Sequence, residues 1–155
     1  MPPQESYAEL PPMPNRHGVT WGGVTVVGLV ATPLSLDMED LARYGRSTAV
    51  MDFKCYDGWV ASAQRWEGVP LSAVLGRAGA DPEAKYVVFS CGEFVRTLTL
   101  DEANASDTLL ATMLNDRPLA DENGGPCRLL AGDRMGPFHV KWIQRIEVTN
   151  EAPED

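Results

Sequence analysis

The chain is poor in cysteine, with three among 155 residues. An odd and small number argues against a disulfide framework, and no Cys-x-x-Cys motif is present to support dithiol redox chemistry or haem attachment. No apolar run approaches the length of a membrane span, and the first residues lack the basic and apolar pattern of a secretory signal. The chain is therefore predicted to be cytoplasmic, or periplasmic if an export leader precedes it.

Basic residues are also few, since 13 Lys and Arg face 22 Asp and Glu, which gives a net charge of −9. Binding of nucleic acid depends on clustered Lys and Arg, so nucleic acid is not an expected partner. One concentration of basic side chains does occur, within fourteen residues: Arg128, Arg134, His139 and Lys141. This stretch predicts an anion-binding site, and the alternative is a solvated basic loop.

What is present suffices for one compact domain, since 44% of the residues are apolar and four are tryptophan. A chain of this length can bury one good core, and no internal repeat or second domain is visible. Proline is frequent at the start and disfavours regular structure there. The predicted organisation is an extended arm over residues 1–20, a single domain over 21–150 and a tail over 151–155.

Short strands dominate the predicted structure. They cover residues 24–30, 48–55, 59–66, 86–89, 94–98, 109–114, 127–130 and 143–149. Helices are predicted at 38–44, capped by Ser35 or Asp37 and ended by Gly45, and between Pro70 and Gly79, with a helical turn at 101–103. Asn115-Asp116 predicts a tight turn. Because the helices are scattered among the strands instead of alternating with them, the fold class is predicted to be α+β, with several antiparallel or mixed sheets.

Cys55 ends an apolar run and is followed by a Gly-Trp turn and then by Trp66. A thiolate is a soft ligand, and aromatic surroundings would keep water from a bound metal. Cys55 is therefore a candidate metal ligand. The alternative is that it packs as a small buried hydrophobic residue.

Four blocks of the chain, within residues 24–149, resemble the molybdopterin-binding domain of the sulfite oxidase family. They are Asp52 to Trp59 with Trp66 to Leu71, then Leu109 to Leu119, then Asn123 to Leu129, and finally Val140 to Ile143. The resemblance implies a sulfite-oxidase-type fold, molybdenum and molybdopterin as cofactors, and transfer of an oxygen atom to or from a small-molecule substrate.

The resemblance also implies roles for individual residues. Cys55 would be the molybdenum ligand, beside the two sulfurs of the pterin dithiolene. The residues that would contact the cofactor are Asn123, Arg128, His139, Val140, Lys141 and His17. The residues that could line the pocket are Trp59, Trp66, Ser90, Cys91 and Glu93. The alternatives are ordinary: a surface ion pair for Arg128, a solvated Lys141, a turn-forming Asn123, a loop histidine at position 17 and a packed thiol at position 91.

The departures from the family pattern bear on substrate and partners. No arginine closely follows Cys55, and the nearest is Arg65, so a sulfite pocket is not expected and a neutral S-oxide or N-oxide is favoured. The glycine loop 131–136 is altered, which could change cofactor affinity. With no haem domain in these residues, electrons are expected to pass through a separate carrier protein or small redox carrier. A cofactor-free binding or scaffold domain is the alternative function, and thiol redox through Cys55 and Cys91 is disfavoured.

Overall fold

The structure is a computed structural model that describes residues 20–54, 60–132 and 138–152, and the backbone of residues 6–7. The strands are β1 (Ser6–Tyr7), β2 (Val24–Gly28), β3 (Leu34–Leu36), β4 (Ser47–Lys54), β5 (Val60–Pro70), β6 (Tyr86–Cys91), β7 (Phe94–Thr99), β8 (Thr108–Leu114), β9 (Arg117–Pro118), β10 (Arg128–Ala131) and β11 (Arg145–Thr149). The helices are α1 (Met38–Leu41), α2 (Leu71–Ala78) and α3 (Leu100–Ala103), and Asp121–Asn123 forms a 3₁₀ turn.

The strands form two sheets. The first sheet has the order β1-β5-β8-β10, with β4 also paired to β5 and β9 to β8, and the second has the order β3-β2-β11-β6-β7. Two of the pairs are parallel, β1 with β5 and β2 with β11, and the other named pairs are antiparallel. Mixed sheets with few short helices confirm the predicted α+β class. No helix in the described ranges is long and apolar enough to cross a membrane.

Helix α2 follows the prediction closely. Pro70 precedes its first turn, and four apolar side chains at helical spacing are buried: Leu71, Val74, Leu75 and Ala78. Full burial of each larger side chain stabilises the fold by about 1.5–3 kcal/mol. Gly79 ends the helix at φ 68°, and a Cβ built there would lie 2.8 Å from the Ala31 Cβ. The left-handed conformation and the close approach both require glycine at this position.

Other boundaries differ from the sequence prediction. Strand β2 ends at Gly28, at φ 91°, two residues earlier than predicted, and Thr25 is exposed, so the strand is not buried on both faces. Helix α1 ends at Leu41, before the predicted Tyr44, and Asp37 is its cap, because the Asp37 carboxylate accepts from the Asp40 N–H. Strand β3 was not predicted, since three residues are too few to show a period. The predicted turn at 115–116 is confirmed by φ values of 51° and 67°.

A β-bulge in the β4–β5 pair determines which side chains of β5 are buried. The register shifts next to Asp52, so that two residues of β5, 62 and 63, face one residue of β4. Ala63 adopts φ 50°, and its N–H donates to the Asp52 carboxylate at 2.8 Å. Since side chains alternate along a strand, Ala61 and Trp66 would otherwise point to opposite faces. With the bulge, both are buried, and the Phe53 partner of Ala61 is buried with them.

Candidate functional site

Arg128, the first residue of β10, is almost completely buried, with 3% of its surface exposed. Its Nε donates to the carbonyl oxygen of His139 at 2.7 Å, and its Nη1 donates to that of Asn123 at 3.0 Å. No carboxylate pairs with it among the described residues. Burial lowers the pKa of Arg128 to about 9, so the guanidinium still carries its charge at neutral pH. This geometry excludes the alternative of a surface ion pair.

Two aromatic rings take the place of a counter-ion. The Arg128 Cζ lies 4.9 Å from the centre of the Phe53 ring and 6.0 Å from that of Trp66. The two ring centres are 5.9 Å apart. A cation over an aromatic face in a desolvated setting is stabilised by about 2 kcal/mol, and the rings carry no net charge. The cluster therefore keeps one full positive charge inside the protein, beside the strand that leads to Cys55.

His139 belongs to the same cluster. It is 2% exposed, and its ring centre lies 5.1 Å from that of Phe53. The His139 Nδ1 accepts a hydrogen bond from the Ala131 N–H at 2.8 Å, so in the neutral ring the proton is on Nε2. Arg128 and Ala131 are the two ends of β10. The carbonyl oxygen and the ring of His139 are thus hydrogen-bonded to the two ends of β10.

Two buried polar atoms in this cluster lack a partner. Within the described part of the chain, the buried side-chain atoms without a hydrogen bond are the Nε1 of Trp66, the Oδ1 of Asn123 and the Oγ1 of Thr97. Thr97 lies on β7, in the second sheet. An unpaired buried polar atom costs about 1–3 kcal/mol. Two residues with such atoms, both in contact with an unneutralised cation, are the expected pattern for a site that binds a polar, anionic ligand.

The loop that carries Lys141 packs against the turn after Asn123 and is hydrogen-bonded to it. The Trp142 N–H donates to the carbonyl oxygen of Gly124 at 2.9 Å, and the Leu129 N–H donates to that of Val140 at 2.9 Å. Gly124 has φ 89°, and a Cβ there would lie 2.7 Å from the Lys141 Cβ. Glycine therefore allows the lysine to pack against this turn. The Lys141 Nζ is 5.0 Å from the centre of the Trp142 ring.

The predicted pocket residues at 90–93 lie in the second sheet, where β6 turns into β7. The Ser90 carbonyl oxygen accepts from the Gln144 N–H at 3.0 Å. Cys91 is partly buried, and burial raises the pKa of its thiol while the nearby charge of Lys141 opposes that shift. Glu93 is exposed. This hairpin therefore neighbours the Lys141 loop, whereas Trp66 lies in the Arg128 cluster.

Several predicted site residues lie outside the described ranges, namely Cys55, Trp59, His17 and Arg134. In the described ranges, no group of three or more His, Cys, Asp or Glu side chains could hold a metal ion. The residue that sequence reasoning missed is Phe53. Its signal was present, because it is a large aromatic residue within a predicted strand, two positions before the candidate ligand.

Comparison with known proteins gives a family match and several relatives. The model of the family described as "Oxidoreductase molybdopterin binding domain" matches residues 11–155. The uncharacterized oxidoreductase YuiH of Bacillus subtilis is 31% identical over 90% of this chain and 71% of that protein. The protein-methionine-sulfoxide reductase catalytic subunit MsrP of Gluconobacter oxydans is 31% identical over 88% of this chain and 49% of that protein.

Among solved structures, the sulfane dehydrogenase SoxCD from Paracoccus pantotrophus superimposes with a TM-score of 0.79 at 27% identity. The superposition covers 86% of this chain and 39% of that one. The chain thus spans about half the length of the MsrP relative and less of the SoxCD chain. The likeness therefore concerns one part of each of these longer chains.

Proposed function

This chain belongs to the oxidoreductase molybdopterin-binding domain family, and we propose that it transfers an oxygen atom to or from a small substrate. Molybdenum with molybdopterin is the cofactor of this family. When bound, it supplies a two-electron redox couple, which for an S-oxide serves the overall reaction R₂S=O + 2 H⁺ + 2 e⁻ → R₂S + H₂O. The observation that carries the proposal is the buried, unneutralised guanidinium of Arg128.

The residues of the Arg128 cluster fit this cofactor in charge and in hydrogen-bonding capacity. Molybdopterin is anionic, and Arg128 offers a charge that no described carboxylate neutralises. A pterin ring carries both donors and acceptors. The unpaired Nε1 of Trp66 and Oδ1 of Asn123 are, respectively, a donor and an acceptor.

We assign the binding roles accordingly. Asn123 and Arg128 would contact the pterin or its phosphate, and the segment from His139 to Lys141 would contact it as well. His17 is proposed as a further contact from the N-terminal arm. Cys55 is proposed as the thiolate ligand of molybdenum, since it follows directly the strand that places Phe53 against Arg128. The proposed domain is 21–150.

An S-oxide is the substrate class that we propose. A small oxyanion such as sulfite needs fixed positive charge, but Arg65 forms ion pairs with Glu67, at 2.9 Å, and with Asp116. Arg96 stacks on the Phe94 ring at 4.3 Å, in the second sheet. The similarity to a methionine-sulfoxide reductase supports an S-oxide directly. Steady-state assays that compare sulfite with a panel of S-oxides and N-oxides would test this class.

Electrons would reach the site from a separate carrier protein or small redox carrier. The MsrP relative is named a catalytic subunit, which supports an external electron partner for this chain too. Periplasmic residence remains our alternative to the cytoplasm, because an export leader could precede the residues of this sequence.

The metal and pterin content of the protein, made in a host with an intact molybdenum cofactor pathway, tests the function. We expect one molybdenum and one pterin per chain. Protein that is folded but free of both would contradict the enzyme and favour a binding or scaffold domain.

A further inference from the structure

Tryptophan side chains in the described ranges differ in how their indole N–H groups are used. The Nε1 of Trp21 donates to the carbonyl oxygen of Ile143 at 2.7 Å. The Nε1 of Trp142 donates to the backbone and side-chain oxygens of Asp121, at 3.2 and 3.1 Å. The Nε1 of Trp66 has no acceptor, although Trp66 is the most deeply buried of the three, at 0% exposure. Burial without an acceptor is the costly arrangement, and a phenylalanine would avoid it.

Packing alone does not account for an indole at position 66. The ring face is used by the cation of Arg128, at 6.0 Å, and by Phe53, at 5.9 Å, and neither contact involves the N–H. The other unpaired atom of this cluster, the Oδ1 of Asn123, is on the residue whose carbonyl oxygen accepts from Arg128. The two residues that carry the unpaired donor and the unpaired acceptor therefore both contact the same guanidinium.

We infer that the indole N–H of Trp66 is a direct hydrogen-bond donor to the bound cofactor, and that Trp66 is a binding residue as well as a part of the core. The inference rests on the proposed function. Phosphate alone would satisfy the N–H of Trp66 but would leave the acceptor of Asn123 unpaired. A pterin offers both an acceptor and N–H donors, so it can pair both atoms.

The test is an isosteric change that removes only the N–H. Trp66 is replaced by benzothienylalanine, in which sulfur stands where the indole has N–H, and Trp21 receives the same replacement as the matched control. Without cofactor, the change at Trp66 should leave the melting temperature unchanged or raise it, because an unsatisfied donor disappears. The change at Trp21 should lower it, because the carbonyl oxygen of Ile143 loses its partner.

In the cofactor-loaded protein, the change at Trp66 is the one that should have an effect. Release of the pterin should become roughly three- to tenfold faster after the change at Trp66, the loss expected for one hydrogen bond, and should not change after the change at Trp21. A second measurement uses protein labelled with ¹⁵N in the indoles. On loading, the Nε1 proton resonance of Trp66 should move downfield, while that of Trp21 stays in place.

Each result decides the question. Unchanged pterin release and an unmoved Trp66 resonance, in protein that carries the pterin, would overturn the inference and leave the proposed function intact. A fall in the melting temperature of the cofactor-free protein that matches the fall at Trp21 would also overturn it, because Trp66 would then have an acceptor already. Wild-type protein that takes up no pterin would overturn the proposed function, and the inference, which names the pterin as acceptor, with it.

Discussion

Removal of the buried charge, by Arg128→Met, should separate cofactor binding from stability. Methionine keeps an unbranched apolar stem next to Phe53 and Trp66 but removes the guanidinium. Two charged hydrogen bonds to carbonyl oxygens, about 1.5–3 kcal/mol each, and a stacking contact of about 2 kcal/mol are lost. Against this, the variant no longer buries a charge without a counter-ion, which costs several kcal/mol. Because the losses slightly exceed the gain, the free energy of unfolding of the cofactor-free protein should fall by only about 2 kcal/mol.

The effect on the cofactor has no such compensation. A charge-assisted contact to an anionic ligand contributes about 1.5–3 kcal/mol, so the dissociation constant of the pterin should rise by roughly ten- to 150-fold. The rise follows from the charge that Arg128 keeps inside the protein. Turnover per bound molybdenum should change much less, because Arg128 is proposed to bind the cofactor and not the substrate.

The assay is the pterin retained by purified protein, measured by oxidative release of its fluorescent form, together with the rate at which pterin is lost on dilution. Arg96→Met is the matched control, because Arg96 also stacks on an aromatic ring, at 4.3 Å, but in the second sheet. It should retain the wild-type pterin content. If Arg128→Met kept wild-type pterin content and release rate, the buried arginine would have a structural role only, and our placement of the cofactor would be wrong.

Three further outcomes are expected. Cys55→Ser should abolish turnover and the thiolate-to-molybdenum absorption with an unchanged circular dichroism spectrum, because an alkoxide is a harder donor than a thiolate, and persistence of the absorption would refute Cys55 as ligand. Asp52→Ala, which removes the acceptor of the Ala63 N–H, should cost about 1 kcal/mol in urea unfolding, whereas Asp52→Asn keeps an acceptor and should cost less; equal losses would contradict the role of this bond in the bulge. Burial raises the pKa of Cys127 from 9.0 to about 12, so the contribution of this thiol to stability is complete below about pH 9 and is lost as the pH rises toward 12. Cys127→Ala should make the melting temperature fall less steeply over this pH range. If the melting temperatures of variant and wild type fell in parallel, this role of Cys127 would be refuted.

Local signals explain which elements could be predicted from sequence. Helix α2 has a proline before its first turn, four apolar residues at helical spacing and a glycine after its last turn. All three signals act within a few residues. The turn at Asn115 and Asp116 depends on the φ values that these two residues tolerate. The bulge next to Asp52 has no such signal. It depends on the pairing of β4 with β5, and one extra residue changes which side chains of β5 are buried.

The candidate site shows the same limit. Asn123, Arg128 and His139 were identified through a resemblance, and the structure brings the three together. The sequence around Arg128 gives no sign that its side chain is buried or that aromatic rings replace its counter-ion. Those contacts join β10 to β4 and β5, which lie far before it in the chain. The hydrophobic period of a strand predicts which of its faces is buried but not which strand lies next to it.

Strand β1 adds Ser6 and Tyr7 to the first sheet, next to β5. Its two residues pair in parallel with Val60 and Ala61, the same residues that pair with β4 on their other side. A chain shortened to begin at residue 20 would lose this pairing and expose backbone N–H and C=O groups at the start of β5, where an unpaired edge invites strands from other molecules. Ser6 and Tyr7 are therefore best kept when the protein is truncated, fused or tethered to a surface.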